Sequence, residues 1–219
     1  MRTIEGVLFD FGHTLFTNKS AQVCAAEFHQ AGGPEVDPGA IALLWAEIRE
    51  RSRQPAELAK GRDLNATLHR QCWMALLAPL DQLADGLAEF TCERESSARG
   101  WEPYPDAIPV LAELRRRDIP VGIVSDCGWD IRDAFKLHGL DEFVHSYDLS
   151  CEHGKCKPAA ELFVSACSQL SVDPGRALMV GDSPLTDGGA AAVGIVTLIL
   201  PARDRSAEPA LAHVLDLVR

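Results

Sequence analysis

The chain lacks any apolar run approaching the roughly 18–20 residues that a membrane-spanning helix requires. Glu5 and Asp10 interrupt the first apolar stretch, so a signal peptide is not expected either. Positive charge is scarce. Lys and Arg number 21 against 32 Asp and Glu, a net charge of −11. The one basic cluster, Arg115-Arg116-Arg117, reads as the polar face of a helix. A nucleic-acid partner is therefore disfavoured, although a small phosphate needs only local positive charge or a metal. A disulfide framework is missing as well. Seven cysteines, an odd number, are scattered without regular spacing, which suits reduced thiols and a cytoplasmic location. Repeats and low-complexity tracts are absent. With 47% hydrophobic residues the chain can build a core, so a disordered chain is excluded. The expected class is a globular intracellular protein: one large domain of 219 residues, or a core with an insertion.

Three short apolar runs stand out, at residues 4–9, 121–124 and 177–180. Each is followed by a polar end: Asp10, then Ser125-Asp126, then Gly181-Asp182. Continuous apolar runs of this length read as strands buried on both faces of a parallel sheet. Residues 143–149 and 195–200 are two further candidates. Helical patterns lie between them, at 105–117 (Ile108, Leu111, Leu114) and 158–170 (Leu162, Phe163, Ala166, Leu170). This alternation predicts a doubly wound, Rossmann-like α/β fold. Such folds carry their sites at the carboxyl ends of the strands, where the three polar ends converge. Residues 19–99 lack strand patterns and read as helices near 21–31, 39–53, 64–77 and 81–93. The expected division is a core of residues 1–18 and 100–219 with a helical module of residues 19–99 inserted. Its aromatics read as that module's own core.

Four motifs occur in order: Phe9-Asp10-Phe11-Gly12-His13-Thr14-Leu15, Val124-Ser125-Asp126, Lys157-Pro158, and Gly181-Asp182-Ser183-Pro184-Leu185-Thr186-Asp187. In this order and context the chain resembles the haloacid dehalogenase superfamily, in particular its small phosphatase-like members with a helical cap after the first motif. The resemblance covers nearly the whole chain. It implies a Mg²⁺-dependent phosphatase acting on a small phosphorylated metabolite. Asp10 would be the nucleophile that forms an aspartyl-phosphate. Ser125, Asp126 and Lys157 would grip the phosphate. Asp10, the Gly12 carbonyl and Asp182 would hold Mg²⁺, with Asp187 behind them.

One departure stands in the first motif. The family usually carries a second Asp there as general acid and base; this chain has Gly12. A positioned acid or base is worth roughly 10²–10⁴-fold. Three accounts stay open. His13 takes the role, or is a loop histidine filling space. The substrate has a leaving group that needs no proton, or belongs to a phosphonatase or phosphotransferase chemistry. Or the protein binds phosphate compounds with little turnover. A phosphonatase needs a lysine in the inserted module, and Lys19 and Lys60 are the candidates. Cys151, His153 and Cys156 offer three ligands at an unusual spacing for zinc, and a zinc site is not expected. Cys127 reads as a buried, inert thiol, and Trp129 as a residue lining the pocket or packing under the module.

Overall fold

The computed structural model describes residues 3–202 and 210–218. Seven strands are present among them: β1 Gly6–Phe9, β2 Phe16–Asn18, β3 Trp101–Pro103, β4 Val121–Ser125, β5 Ser146–Leu149, β6 Ala177–Gly181 and β7 Val196–Ile199. Five form one parallel sheet in the order β5-β4-β1-β6-β7. The central strand pairs on both sides, with Val7 opposite Val121 and Leu178. All four of its residues are buried. That explains its unbroken apolar run: a strand covered on both faces has no position to spare for a polar side chain.

Side chains alternate across the sheet. Val7 and Phe9 face one hydrophobic layer together with Ile123 and Val180. Leu8 faces the other with Val124 and Met179. The helices are α1 Ala21–Gln30, α2 Pro38–Ser52, α3 Pro55–Leu58, α4 Ala66–Leu77, α5 Leu87–Glu95, α6 Ala107–Arg116, α7 Arg132–Leu137, α8 Ser150–His153, α9 Ala160–Leu170 and α10 Ala212–Leu217. The first layer is closed by α6, α7 and α10, the second by α9 and the 3₁₀ turn of residues 187–193. The α9 face is the expected one. The α6 face is not: Ile108 is exposed, and Ala107, Val110, Leu111 and Leu114 make the contact. That set keeps the i, i+3, i+4, i+7 spacing of a single stripe, and Ile108 lies outside it. Arg116 and Arg117 pair with Glu113, and Arg115 with Glu142, so the basic triplet is indeed a helix surface.

Helices α1, α2, α4 and α5 pack around a separate cluster that includes Phe28, Ile48, Leu76, Leu80 and Leu87. Ser20, Asp37 and Asn65 accept backbone N–H groups at the starts of α1, α2 and α4, each cap worth about 1 kcal/mol. Residues 81–93 do not form one helix. A 3₁₀ turn at Ala78–Gln82 gives way at Gly86, whose φ of 81° breaks the path before α5 begins. Strands β2 and β3 were not anticipated. They pair antiparallel, Phe16 opposite Pro103 and Asn18 opposite Trp101, as a ribbon that carries the chain out to the helices and back.

Candidate active site

The order β5-β4-β1-β6-β7 places the change of winding beside β1, and three carboxyl ends meet there. Asp10 follows β1, its N–H donating to the Val180 carbonyl at 2.9 Å. Ser125 ends β4. Asp182 follows β6. All three line a cavity of about 670 Å³, together with Gly12, His13, Asp126 and Lys157. The strand ends singled out in the sequence therefore do converge.

Lys157 is the hub. Its side chain is almost wholly buried, and its Nζ lies 2.9 Å from Asp10 Oδ1 and 2.6 Å from Asp187 Oδ1. It also donates to the Val124 carbonyl at 3.1 Å. Burial pulls its pKa down, but Asp10, Asp187 and Asp126 outweigh that and hold it above the usual lysine range. Asp187 is fully buried and accepts the Ser183 N–H at 2.9 Å, which fixes the second oxygen. Asp126 accepts the Lys157 backbone N–H at 2.8 Å. Its carboxylate is thus engaged in seating the lysine, and burial raises its pKa to about 6.

Oxygens of Asp10, Asp182 and Asp187 lie within 4.8 Å of one another. Burial pushes Asp10 well above the carboxylate range despite Lys157, and Asp187 and Asp182 push it further. Burial and Asp187 likewise raise Asp182. Three carboxylates around one ammonium leave the cluster net negative. Hard oxygen donors with unbalanced charge are a set that Mg²⁺ fits. Both Asp187 oxygens are engaged, by Lys157 and the Ser183 N–H, whereas Lys157 takes only Oδ1 of Asp10, so Asp10 and Asp182 are the carboxylates best able to turn to a cation, with Gly12 on the same cavity wall.

His13 sits in the left-handed region at φ 60°, its N–H donating to the Phe16 carbonyl at 2.6 Å. His13 is among the residues lining the cavity. Burial lowers its pKa to about 4, and Arg53 and Arg49 lower it further. At neutral pH it is a neutral imidazole. Beside it Gly12 faces the Trp101 indole: a Cβ there would lie 3.5 Å from two of its ring carbons. Trp101 is held in turn by a bond from its Nε1 to the Glu95 carbonyl, 2.8 Å, and by Phe11 with ring centroids 4.9 Å apart.

The helical layer supplies the opposite wall. Trp45, Arg49 and Arg53 reach the cavity from α2 and its end, and Arg62 and His69 from the turn before α4 and from α4. Trp45 and Trp73 serve both as that layer's core and as cavity wall. Trp129 also lines the cavity, edge-on to Phe11. His69 bonds Asp63 at 2.9 Å, and the Ser150 hydroxyl donates to the Asp63 carbonyl at 2.6 Å, tying the helices to the sheet. Among the described residues, Lys157 is the only lysine lining the cavity; Lys60 pairs instead with Glu57. His153 pairs with Asp148, and Asp10, Asp182 and Asp187 are the only group of potential metal ligands found among the described residues. Cys127 is buried as expected.

The chain is similar to several known proteins. The chain is 28% identical over 198 residues to the glyceraldehyde 3-phosphate phosphatase of Methanopyrus kandleri, covering 89% of this chain and 83% of that one. Its fold matches a dehalogenase crystal structure with a TM-score of 0.73 at 19% identity, covering 100% of this chain and 98% of the other. It also matches a phosphatase of Thermococcus onnurineus with a TM-score of 0.59 at 24% identity, over 94% and 89% of the two chains. A family model for haloacid dehalogenase-like hydrolases matches residues 4–194, and the chain is a member of that family.

Proposed function

We propose that this enzyme hydrolyses phosphate monoesters of small metabolites, with Asp10 as nucleophile and Mg²⁺ as the resident cation. The observation that carries the reading is the buried Asp10–Lys157–Asp187 chain, with Asp182 beside it, opening on a metabolite-sized cavity. Asp10 attacks phosphorus, an aspartyl-phosphate forms, and the alcohol oxygen leaves with the bonding pair. Lys157 holds the attacking carboxylate in line and offsets phosphate charge. Ser125 is placed to donate its hydroxyl to a phosphoryl oxygen, and the Asp126 carboxylate steadies Lys157. Bound through Asp10, the Gly12 carbonyl and Asp182, Mg²⁺ would offset the repulsion between carboxylate and phosphate dianion.

Water then cleaves the aspartyl-phosphate. His13, neutral at physiological pH, has a lone pair to take that water's proton. Its remaining N–H is too weak an acid to protonate the leaving oxygen, so it suits the second step and not the first. Residues 19–99 act as a cap that shields the site from water. Seven unpaired thiols suit a cytoplasmic setting. A phosphonatase chemistry lacks its reactive amine here, since no cap lysine lines the cavity.

The test is phosphate release from a panel of phosphorylated metabolites and aryl phosphates, with Mg²⁺ and with chelator, in wild type and Asp10→Asn. Release that needs Mg²⁺ and is abolished in Asp10→Asn is expected. Activity that persists in Asp10→Asn refutes the mechanism. A second reading, phosphate binding with little turnover, is favoured by Gly12, which offers no acid side chain beside Asp10. It predicts saturable phosphate binding without release.

A further inference from the structure

Three cations face the cavity from the helical layer, and they are not equivalent. Arg62 is committed: it bonds the Ser52 carbonyl at 2.6 Å, lies 3.3 Å from Asp63 and covers the Trp73 ring at 5.1 Å. Arg53 sits at the inner end, its Nη2 3.9 Å from Asp182. Arg49 is four residues earlier on α2, one turn along the same stripe as Trp45 and Arg53. Among the described residues its guanidinium has no hydrogen-bond or ion-pair partner. It is only partly exposed, and it lines the cavity. The chain carries an excess of carboxylates, with Glu47 and Glu50 flanking Arg49 in sequence. An unpaired, half-buried arginine turned towards a cavity in such a chain needs an anion from outside.

The acidic cluster gives that anion a place. Asp10, Asp182 and Lys157 fix where the reacting phosphoryl group lies, and Arg53 marks the same inner end through Asp182. Four residues of helix span about 6 Å. Beyond Arg49, the partly buried Trp45 and Trp73 rings, stacked 6.3 Å apart, close the cavity with an apolar wall. A guanidinium presents paired N–H donors that match two oxygens of a carboxylate or a phosphate.

We propose that Arg49, aided by Arg53, binds a second anionic group of the substrate, so that the enzyme selects small phosphorylated metabolites bearing a carboxylate or another phosphate about one helical turn from the reacting phosphorus. The inference rests on the phosphatase reading of the site and adds its substrate class. A neutral-ended phosphate ester would leave Arg49 without a partner, and the polar mismatch would weaken binding.

The experiment compares three probes on one skeleton: 3-phosphoglycerate, glycerol 3-phosphate and glycerol 1,3-bisphosphate. The wild type is expected to prefer at least one of the doubly anionic probes to glycerol 3-phosphate by tenfold or more in kcat/KM. Which one it prefers separates carboxylate from phosphate. Arg49→Gln should bring that ratio to within about threefold of unity, mainly through KM of the favoured probe, and Arg49→Lys should restore part of it. The same probes are titrated calorimetrically into Asp10→Asn and into Asp10→Asn with Arg49→Gln, a readout independent of turnover. Loss of the preference with Arg49→Gln in either assay supports the subsite. A wild type without the preference, or an Arg49→Gln loss equal for all three probes, overturns it. Phosphate release from aryl phosphates that depends on Asp10 would then leave the hydrolase reading standing alone.

Discussion

Gly181 offers the sharpest test of how the site is built. It ends β6, and a Cβ added there would lie 2.2 Å from both Cγ and Oδ2 of Asp187, and 2.6 Å from its Cβ. Asp187 cannot yield cheaply. It is fully buried, and both of its oxygens are engaged, by Lys157 at 2.6 Å and by the Ser183 N–H at 2.9 Å. Gly181→Ala must therefore push Asp187 off Lys157. Overpacking costs about 1–3 kcal/mol, and a lost charge-assisted hydrogen bond about 1.5–3 kcal/mol. A total near 4 kcal/mol lowers the thermal midpoint by roughly 8–16 °C for a chain of this size. Lys157 keeps Asp10 but loses its second anchor, and misplacement of about 1 Å costs on the order of 10²-fold in rate. Gly188 is the control, because a Cβ there meets nothing within 4 Å; Gly188→Ala should stay within about 0.5 kcal/mol. Combining Gly181→Ala with Asp187→Gly moves the Cβ from one side of the contact to the other. The two changes should couple favourably by at least about 1 kcal/mol. Calorimetric melting and phosphate-release kinetics check both. A Gly181→Ala protein that melts within 2 °C of wild type at full activity would refute the reasoning.

Other consequences can be checked as directly. Gly12→Asp sets its Cβ at ordinary contact distance from Trp101 and should gain roughly tenfold or more, whether or not Trp101→Ala is added, read as initial rates. His13 is charged in the unfolded chain below its ordinary pKa near 6.5 and neutral in the fold down to about 4. Its burial thus costs nothing above pH 6.5 and costs progressively more as pH falls to 4, up to about 2–3 kcal/mol. His13→Asn, which tolerates the positive φ, should therefore gain on wild type at pH 4.5 relative to pH 7.5 in urea unfolding; an equal difference at both values would count against it. Ser150→Ala removes the bond to the Asp63 carbonyl and leaves the buried Cys127 N–H without its acceptor. A loss of about 1–3 kcal/mol is expected in the same assay.

The sheet and the inner half of the site were legible for a common reason. A strand covered on both faces must be apolar throughout, so its end is marked by the first polar residue, and in this fold the ends are where chemistry gathers. Asp10, Ser125 and Asp182 could be placed from that alone. The β2–β3 ribbon could not. Each strand is three residues long, one contains Pro103, and the partners lie some 85 residues apart, so no local period announces them. Trp101 was missed with it. The α6 stripe shows a smaller failure: four apolar residues fit the helix, and Ile108, an apolar residue next to them, pointed to the wrong face. Arg49 and Arg53 have the right spacing in the sequence, but nothing local says which side of α2 meets the strand ends.

The handling of protons is where sequence pattern and geometry have to be read together. Taken by itself, Gly12 is a deletion: the family's acid and base is missing. In the fold the Trp101 indole stands 3.5 Å from the position a Cβ would take, an ordinary contact, against the loop that carries Asp10. The indole is pinned from behind by the Glu95 carbonyl and from the side by Phe11, so it is part of the wall and not a loose cover. An apolar wall there excludes water from the nucleophile, which strengthens the charge interactions of Lys157 and keeps stray water from the aspartyl-phosphate. The same exclusion, with two arginines nearby, keeps His13 neutral and able to accept a proton. A leaving oxygen gets no proton from this wall. Under the proposed mechanism, rates should therefore rise steeply as the leaving group becomes more acidic, more steeply than in a Gly12→Asp, Trp101→Ala enzyme that has regained a donor. That slope separates a site that has lost a catalyst from one whose wall has been rebuilt around a different substrate.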